Sequence, residues 1–130
     1  MQIAKGRETI LLVEDGHMAL DIGAKALKSL GYTVLQARSC REAIEVYQEK
    51  RDKIHLVIFD MAMADMDGEE CYDRMKAVNP RQKVLLSGCY SSDTQAREML
   101  TRRCNSFIEK PFTREALSKA IRDVLDEQQV

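Results

Sequence analysis

Leu56-Val-Ile-Phe-Asp60 decides the fold: four consecutive apolar residues that end on a carboxylate. A strand with one wet face alternates apolar and polar residues, whereas a run apolar throughout belongs to a strand covered on both faces, as in parallel sheets. Thr9-Ile-Leu-Leu-Val13 has the same character, with Glu14-Asp15 directly after it. Working outward, Thr33 to Ala37, Val84-Leu-Leu86 and Ser106-Phe-Ile108 read as three further strands. Amphipathic stretches fill the intervals. Leu20, Gly23, Ala24, Leu27 and Leu30 form one helical stripe ended by Gly31. Ser39-x-x-Glu42 reads as a capping box ahead of Ala43, Ile44 and Tyr47. A helix from about Glu69 to Val78 stops before Asn79-Pro80, and Ser92-x-x-Gln95 caps one running to about Arg103. Thr113 caps the last, with Leu117, Ala120, Ile121 and Val124 inward. Five strands alternating with five helices predict an α/β parallel sheet wrapped on both sides, because each crossover is right-handed.

The chain has 130 residues, one domain's worth, and is long enough to bury a core without a disulfide or metal staple. Hydrophobic residues at 45% and charged residues at 32% exclude a disordered or collagen-like chain. Twenty Lys and Arg against 21 Asp and Glu leave a net charge of −1, so no global field draws in nucleic acid or an anionic membrane. The apolar runs are too short to span a bilayer, and Met1 to Arg7 lacks the apolar core of a secretory signal. Cysteines at 40, 71, 89 and 104 contain no Cys-x-x-Cys, which favours scattered thiols in a reducing cytoplasm over disulfides or a zinc site.

In a doubly wound sheet, ligands sit beyond the carboxyl ends of the strands. That edge holds Glu14-Asp15, Asp60, Ser87-Gly88 and Lys110. Three carboxylates crowded together repel one another unless a cation sits between them. Oxygen donors with few protein ligands suit Mg²⁺, which keeps several waters and accepts phosphate. Lys110 adds a compact, mobile positive charge. A single Asp at a strand end is commonly a cap or turn residue; several charges arriving at successive strand ends point to binding of a strongly anionic group, phosphate above all.

Ile10-Leu-Leu-Val-Glu-Asp15, Leu56-Val-Ile-Phe-Asp60, Asp65-Met-Asp-Gly68 and Ile108-Glu-Lys-Pro-Phe112 together resemble the receiver domain of two-component response regulators. The resemblance runs from about Thr9 to Leu125. It implies a flavodoxin-like (βα)5 three-layer sandwich, strand order 2-1-3-4-5, with a lead over 1–8, the domain over 9–126 and a tail over 127–130. It further implies that Asp60 is the phosphoacceptor, charged from the phosphohistidine of a histidine kinase or histidine phosphotransfer domain. Asp15, Asp60 and the backbone carbonyl of Ala62 would ligate Mg²⁺, and Glu14 would hold a metal-bound water. Lys110 would face the phosphoryl group, with Lys110-Pro111 as the family's cis peptide. Phe107 takes the aromatic switch position, its plain alternative being an ordinary core residue.

The pattern is broken at two places. The family's switch Thr or Ser falls 28 residues after Asp60 and 22 before Lys110, and both counts land on Gly88, next to Ser87. Using Ser87 requires a one-residue slip, which turns a strand side chain to the other face, so Gly88 is the preferred occupant. Ala64 stands where a Pro usually stiffens the loop after the acceptor. Ala19, Ile22 and Ala26 make a second apolar row on the first helix, either filler or the face that docks a kinase's helical bundle. His17 and His55 read as surface residues, since a hard cation prefers oxygen.

The resulting expectation is a phosphoaccepting signalling module that catalyses its own Asp phosphorylation and dephosphorylation, cytoplasmic, monomeric or weakly dimeric, with no direct nucleic-acid or membrane partner. A receiver-like interaction domain with impaired switching rests on Gly88. A phosphohydrolase of the haloacid dehalogenase type is disfavoured because Asp60-Met61-Ala62 lacks the second Asp that protonates a leaving group. The chain ends a few residues past the final helix, as expected of a single-domain regulator or of a receiver cut from a longer protein such as a hybrid histidine kinase.

Overall fold

Period-2 alternation places every second residue of an apolar strand on each face of a sheet, and both faces then need cover. A computed structural model describes residues 5–60, 68–88, 107–109 and 112–127; the helix expected between Ser92 and Arg103 lies outside them. The strands are β1 (Thr9–Val13), β2 (Thr33–Ala37), β3 (Leu56–Asp60), β4 (Lys83–Gly88) and β5 (Phe107–Glu109). They form one parallel sheet in the order β2-β1-β3-β4-β5. The described helices are α1 (His17–Ser29), α2 (Cys40–Lys50), α3 (Gly68–Val78) and α4 (Arg114–Leu125).

Two core layers result. Leu11, Val13, Val57, Phe59 and Leu86 pack with Cys40, Ala43 and Tyr47 of α2 and Cys71, Tyr72 and Met75 of α3. Ile10, Leu12, Leu56, Ile58, Leu85 and Ile108 pack on the other face with Leu20, Ala24 and Leu27 of α1 and Leu117, Ile121 and Val124 of α4. Each fully buried Leu, Ile, Val or Phe is worth about 1.5–3 kcal/mol. Neighbouring strand residues thus feed opposite layers, the physical reason the β1 and β3 runs are apolar throughout.

The helix ends follow their local chemistry. Ser39 Oγ accepts from the Glu42 N–H at 3.0 Å, while the Glu42 carboxylate reaches the Arg38 N–H at 3.5 Å, one residue short of the reciprocal bond of a capping box. Thr113 Oγ1 accepts from the Ala116 N–H at 3.0 Å. At the end of α1, Tyr32 N–H bonds Leu27 O and Gly31 N–H bonds Lys28 O, a Schellman arrangement that needs the left-handed φ of 100° at Gly31.

The structure corrects several readings. Strand β4 continues through Gly88, and β5 runs on to Glu109; Ser106 lies outside the described residues. Ile44 is only half-buried, while Cys40 takes a deeper position on α2; Ala120 packs against the core as expected, and Ser118 is buried beside it. Cys40 and Cys71 are not separate thiols but are joined in a disulfide. Their helices cover the same sheet face, and a Cα–Cα distance of 5.9 Å lies within bridging range. Residues of the lead are tied into the fold: Gly6 N–H bonds Leu30 O, and Glu8 is paired with Arg122 of α4.

Candidate functional site

Register assembles the carboxyl edge of the sheet. Val13 pairs with Phe59, so Glu14 and Asp15 leave β1 beside Asp60 at the end of β3. Asp60 in turn pairs with Ser87, and Gly88 with Glu109. The three carboxylates singled out from sequence therefore share the end of two adjacent central strands. They differ in exposure: Glu14 is buried, Asp60 half-buried and Asp15 exposed. Burying an ionised group requires compensation. Glu14 Oε1 accepts the Gly16 N–H at 3.2 Å, and the Glu14 N–H donates to Ala37 O at 3.0 Å, which fixes the turn leading into α1.

Gly88 lies one residue beyond the Asp60–Ser87 pair. A Cβ built on it would stand 3.7 Å from Asp60 Oδ1 and 3.9 and 4.0 Å from Cζ and Cε2 of Phe107. Those are ordinary contact distances, so a side chain at position 88 would be directed at the acceptor candidate and the aromatic ring. Gly88 has φ 156°, a conformation that residues with a Cβ rarely adopt. Ser87 is buried, and strand alternation sets it on the face of Leu85. Phe107 is half-buried and packs against the core layer of Phe59 and Leu86.

Ala62, Lys110 and Pro111 lie outside the described residues, as do positions 65–67 of the Asp65-Met-Asp-Gly68 motif and Ala64. On α1, Ala19 and Ile22 are exposed, but Ala26 packs against the core beside Leu27 and contributes less to an outer row. Met18, absent from the sequence-based row, is 75% exposed next to Ile22 at 63%. Their i,i+4 spacing was the available signal. His17 is exposed as expected, and exposed His55 accepts the Thr9 N–H on Nδ1 at 3.0 Å.

Among the described residues, no three His, Cys, Asp or Glu side chains stand close enough to cage a metal by themselves. Mg²⁺ does not require such a cage, since it retains waters and takes one or two carboxylates. The all-oxygen donor set at the β1 and β3 ends fits that ion. Among the same residues, no helix is long and apolar enough to cross a membrane.

An α/β sheet of this order, with carboxylates grouped at the ends of its first and third strands, defines a receiver. The family model described as "Response regulator receiver domain" matches residues 10–122, and the chain belongs to that family. It is similar to sensor kinase CckA of Brucella abortus, 32% identical over 95% of this chain and 13% of that protein. It is also similar to transcriptional regulatory protein GlrR of Escherichia coli, 33% identical over 91% of this chain and 26% of that one. The chain thus spans about an eighth to a quarter of these curated relatives' lengths. Among solved structures, a receiver domain protein from Clostridium thermocellum superimposes with a TM-score of 0.82 at 27% identity, covering 92% of this chain and 94% of that one. The protein is a receiver domain of two-component phosphorelay signalling. Receiver domains are generally Mg²⁺-dependent and interact with histidine kinases and effectors.

Proposed function

We propose that Asp60 is the phosphoacceptor, that it takes its phosphoryl group from a phosphohistidine of a kinase or phosphotransfer partner in the cytoplasm, and that the modified site switches partner binding. The register that joins Asp60 to the end of β1, where Glu14 and Asp15 emerge, carries this reading. In the transfer, an Asp60 carboxylate oxygen bonds phosphorus as the P–N bond to the partner's imidazole breaks. The bonding pair stays on the imidazole nitrogen, which takes up a proton. Asp15, Asp60 and the Ala62 carbonyl would hold Mg²⁺, and Glu14, already fixed by the Gly16 N–H, would orient a water. Bound Mg²⁺ supplies positive charge against the phosphoryl oxygens, where most of the catalysis of phosphoryl transfer lies. Lys110 would add a second positive charge, aimed by the Lys110-Pro111 peptide.

The apolar exposed face of α1, now Met18, Ala19 and Ile22, supports docking of a partner helix beside this edge. Gly88 and Phe107 occupy the switch positions. With no hydroxyl at 88, coupling passes through backbone N–H groups and the Phe107 ring, which favours a receiver with altered switching. Treatment with acetyl phosphate and Mg²⁺, followed by mass spectrometry, tests the acceptor. One phosphoryl group should map to Asp60, require the divalent cation and disappear in Asp60→Asn. Undiminished labelling in that variant would overturn the assignment.

A further inference from the structure

Cys40 and Cys71 are both fully buried, and their disulfide closes a chain segment with a sequence separation of 31. That segment holds α2, β3, Asp60 and residues 61–67. The link joins the first residue of α2 to the opening turns of α3, both at the carboxyl edge of the sheet. It also lies in the core layer of Phe59 and Leu86 against which Phe107 packs. A cross-link here anchors the stretch that carries the acceptor candidate at both of its ends. We propose that Cys40–Cys71 is a reversible thiol–disulfide modification site that exchanges with low-molecular-weight thiols and disulfides and sets how firmly the start of α3 is held.

The exchange balances as two electrons. A small thiolate attacks Cys71 Sγ, the Sγ–Sγ bond breaks, and its electron pair leaves on Cys40 Sγ. Cys40 opens α2, and a helix N-terminus stabilises a thiolate. A second thiolate attacks the outer sulfur of the mixed disulfide. This frees Cys71 and one molecule of the small disulfide, and the two protons come from the two consumed thiols. Oxidation by a small disulfide is the reverse. After reduction the two sulfurs separate to van der Waals distance within a packed core, so α2 and α3 must move apart at their N-terminal ends. Because both sulfurs are buried, exchange proceeds through local opening of these ends rather than of the whole sheet.

The effect on phosphorylation rests on the acceptor reading above; the redox site itself does not. The folded wild-type chain should be equilibrated in glutathione buffers of graded ratio, unfolded in the presence of N-ethylmaleimide and mapped by mass spectrometry. A Cys40–Cys71 linked peptide should form in oxidising buffer and give way to two alkylated cysteines in one two-electron transition. Alkylation of both cysteines at every ratio would overturn the proposal. So would a link that survives excess dithiothreitol in the folded chain while being cut in urea. Amide exchange at Tyr72 to Met75 should be at least about tenfold faster in the reduced form, with β1 and β3 amides little changed. An equal acceleration everywhere would overturn the local coupling. Cys71→Ala should reproduce the fast exchange in either buffer. Acetyl phosphate labelling of Asp60 should differ at least about twofold in rate between the two forms. Equal rates would overturn the coupling to the site. No labelling in either form would overturn the acceptor reading, while the linked peptide decides the redox site separately.

Discussion

At Gly88 the missing atoms matter as much as those present. A side chain there would meet Asp60 Oδ1 and the Phe107 ring at contact distance, but φ 156° must first relax. A hydrogen bond to a charged phosphoryl oxygen is worth about 1.5–3 kcal/mol, and an unfavourable backbone conformation costs about 1–3 kcal/mol. The two effects act on different states, since the hydroxyl helps only when a phosphoryl group is present. Gly88→Ser should therefore lower the resting stability by about 1 kcal/mol yet enlarge the beryllofluoride-induced amide NMR shift of Phe107. Ser87→Ala should leave that response intact. A collapsed response in Ser87→Ala with Gly88→Ser silent would transfer the switch role to Ser87. A second contrast concerns the acids. Asp15 is exposed, whereas Glu14 is buried and accepts the Gly16 N–H. Asp15→Ala should weaken Mg²⁺ binding more, whereas Glu14→Ala should also cost about 0.5–1.5 kcal/mol of folding stability. Equal metal affinities in a calorimetric titration would reject this division.

Single elements show what a linear pattern can and cannot carry. Gly31 was legible as the end of α1, and the structure adds why it is required. A Cβ there would collide with the Gly6 carbonyl oxygen, in addition to the left-handed φ. Gly31→Ala should cost about 1–2 kcal/mol or more, read as a lower urea midpoint at unchanged slope. An unaltered midpoint would mean that the turn rearranges freely. The apolar runs of β1 and β3 and the caps Ser39 and Thr113 were equally legible, because strand burial and capping are local chemistry. The grouping of Glu14, Asp15 and Asp60 at one edge followed from the parallel sheet itself, but the order of the strands was reached only through motif resemblance, since register is a property of pairs of strands. The Cys40–Cys71 bond escaped because Cys40 and Cys71 meet only after α2 and α3 settle on one face. Met18 escaped for a related reason: exposure of an apolar residue depends on how α1 is rotated against β1. The half-buried state of Ile44, one turn from buried Cys40, shows helix rotation deciding between neighbouring residues on α2 as well.

For the whole molecule, closure of the chain on itself has a pH signature. Arg122 Nη1 and Nη2 donate to Glu8 Oε1 and Oε2 at 3.0 and 2.8 Å, and Arg122 also bonds Asp126 at 2.7 Å. This ties the residues before β1 to α4, and Lys83 Nζ adds bonds to the carbonyls of Leu125 and Glu127 at 2.8 Å each. The Arg122 hydrogen bonds hold the Glu8 carboxyl down to about 2 from an ordinary 4.5. A depressed carboxyl contributes stability that is complete above its unfolded value and lost as pH falls through the folded one. The window here therefore runs from about 4.5 down to about 2. Both side chains keep some contact with solvent, which screens the pair and leaves a contribution of about 1–2 kcal/mol. Arg122→Gln should lose that amount at neutral pH, and its stability should fall less steeply than the wild type's across the window. Other carboxylates titrate in the same range, but they do so in both proteins and cancel in the difference. Glu8→Gln removes the titrating group itself and should flatten the same interval. Urea unfolding at a series of pH values measures all three curves. Parallel curves for wild type and Arg122→Gln would show that the two ends of the chain are held by packing and not by this ion pair.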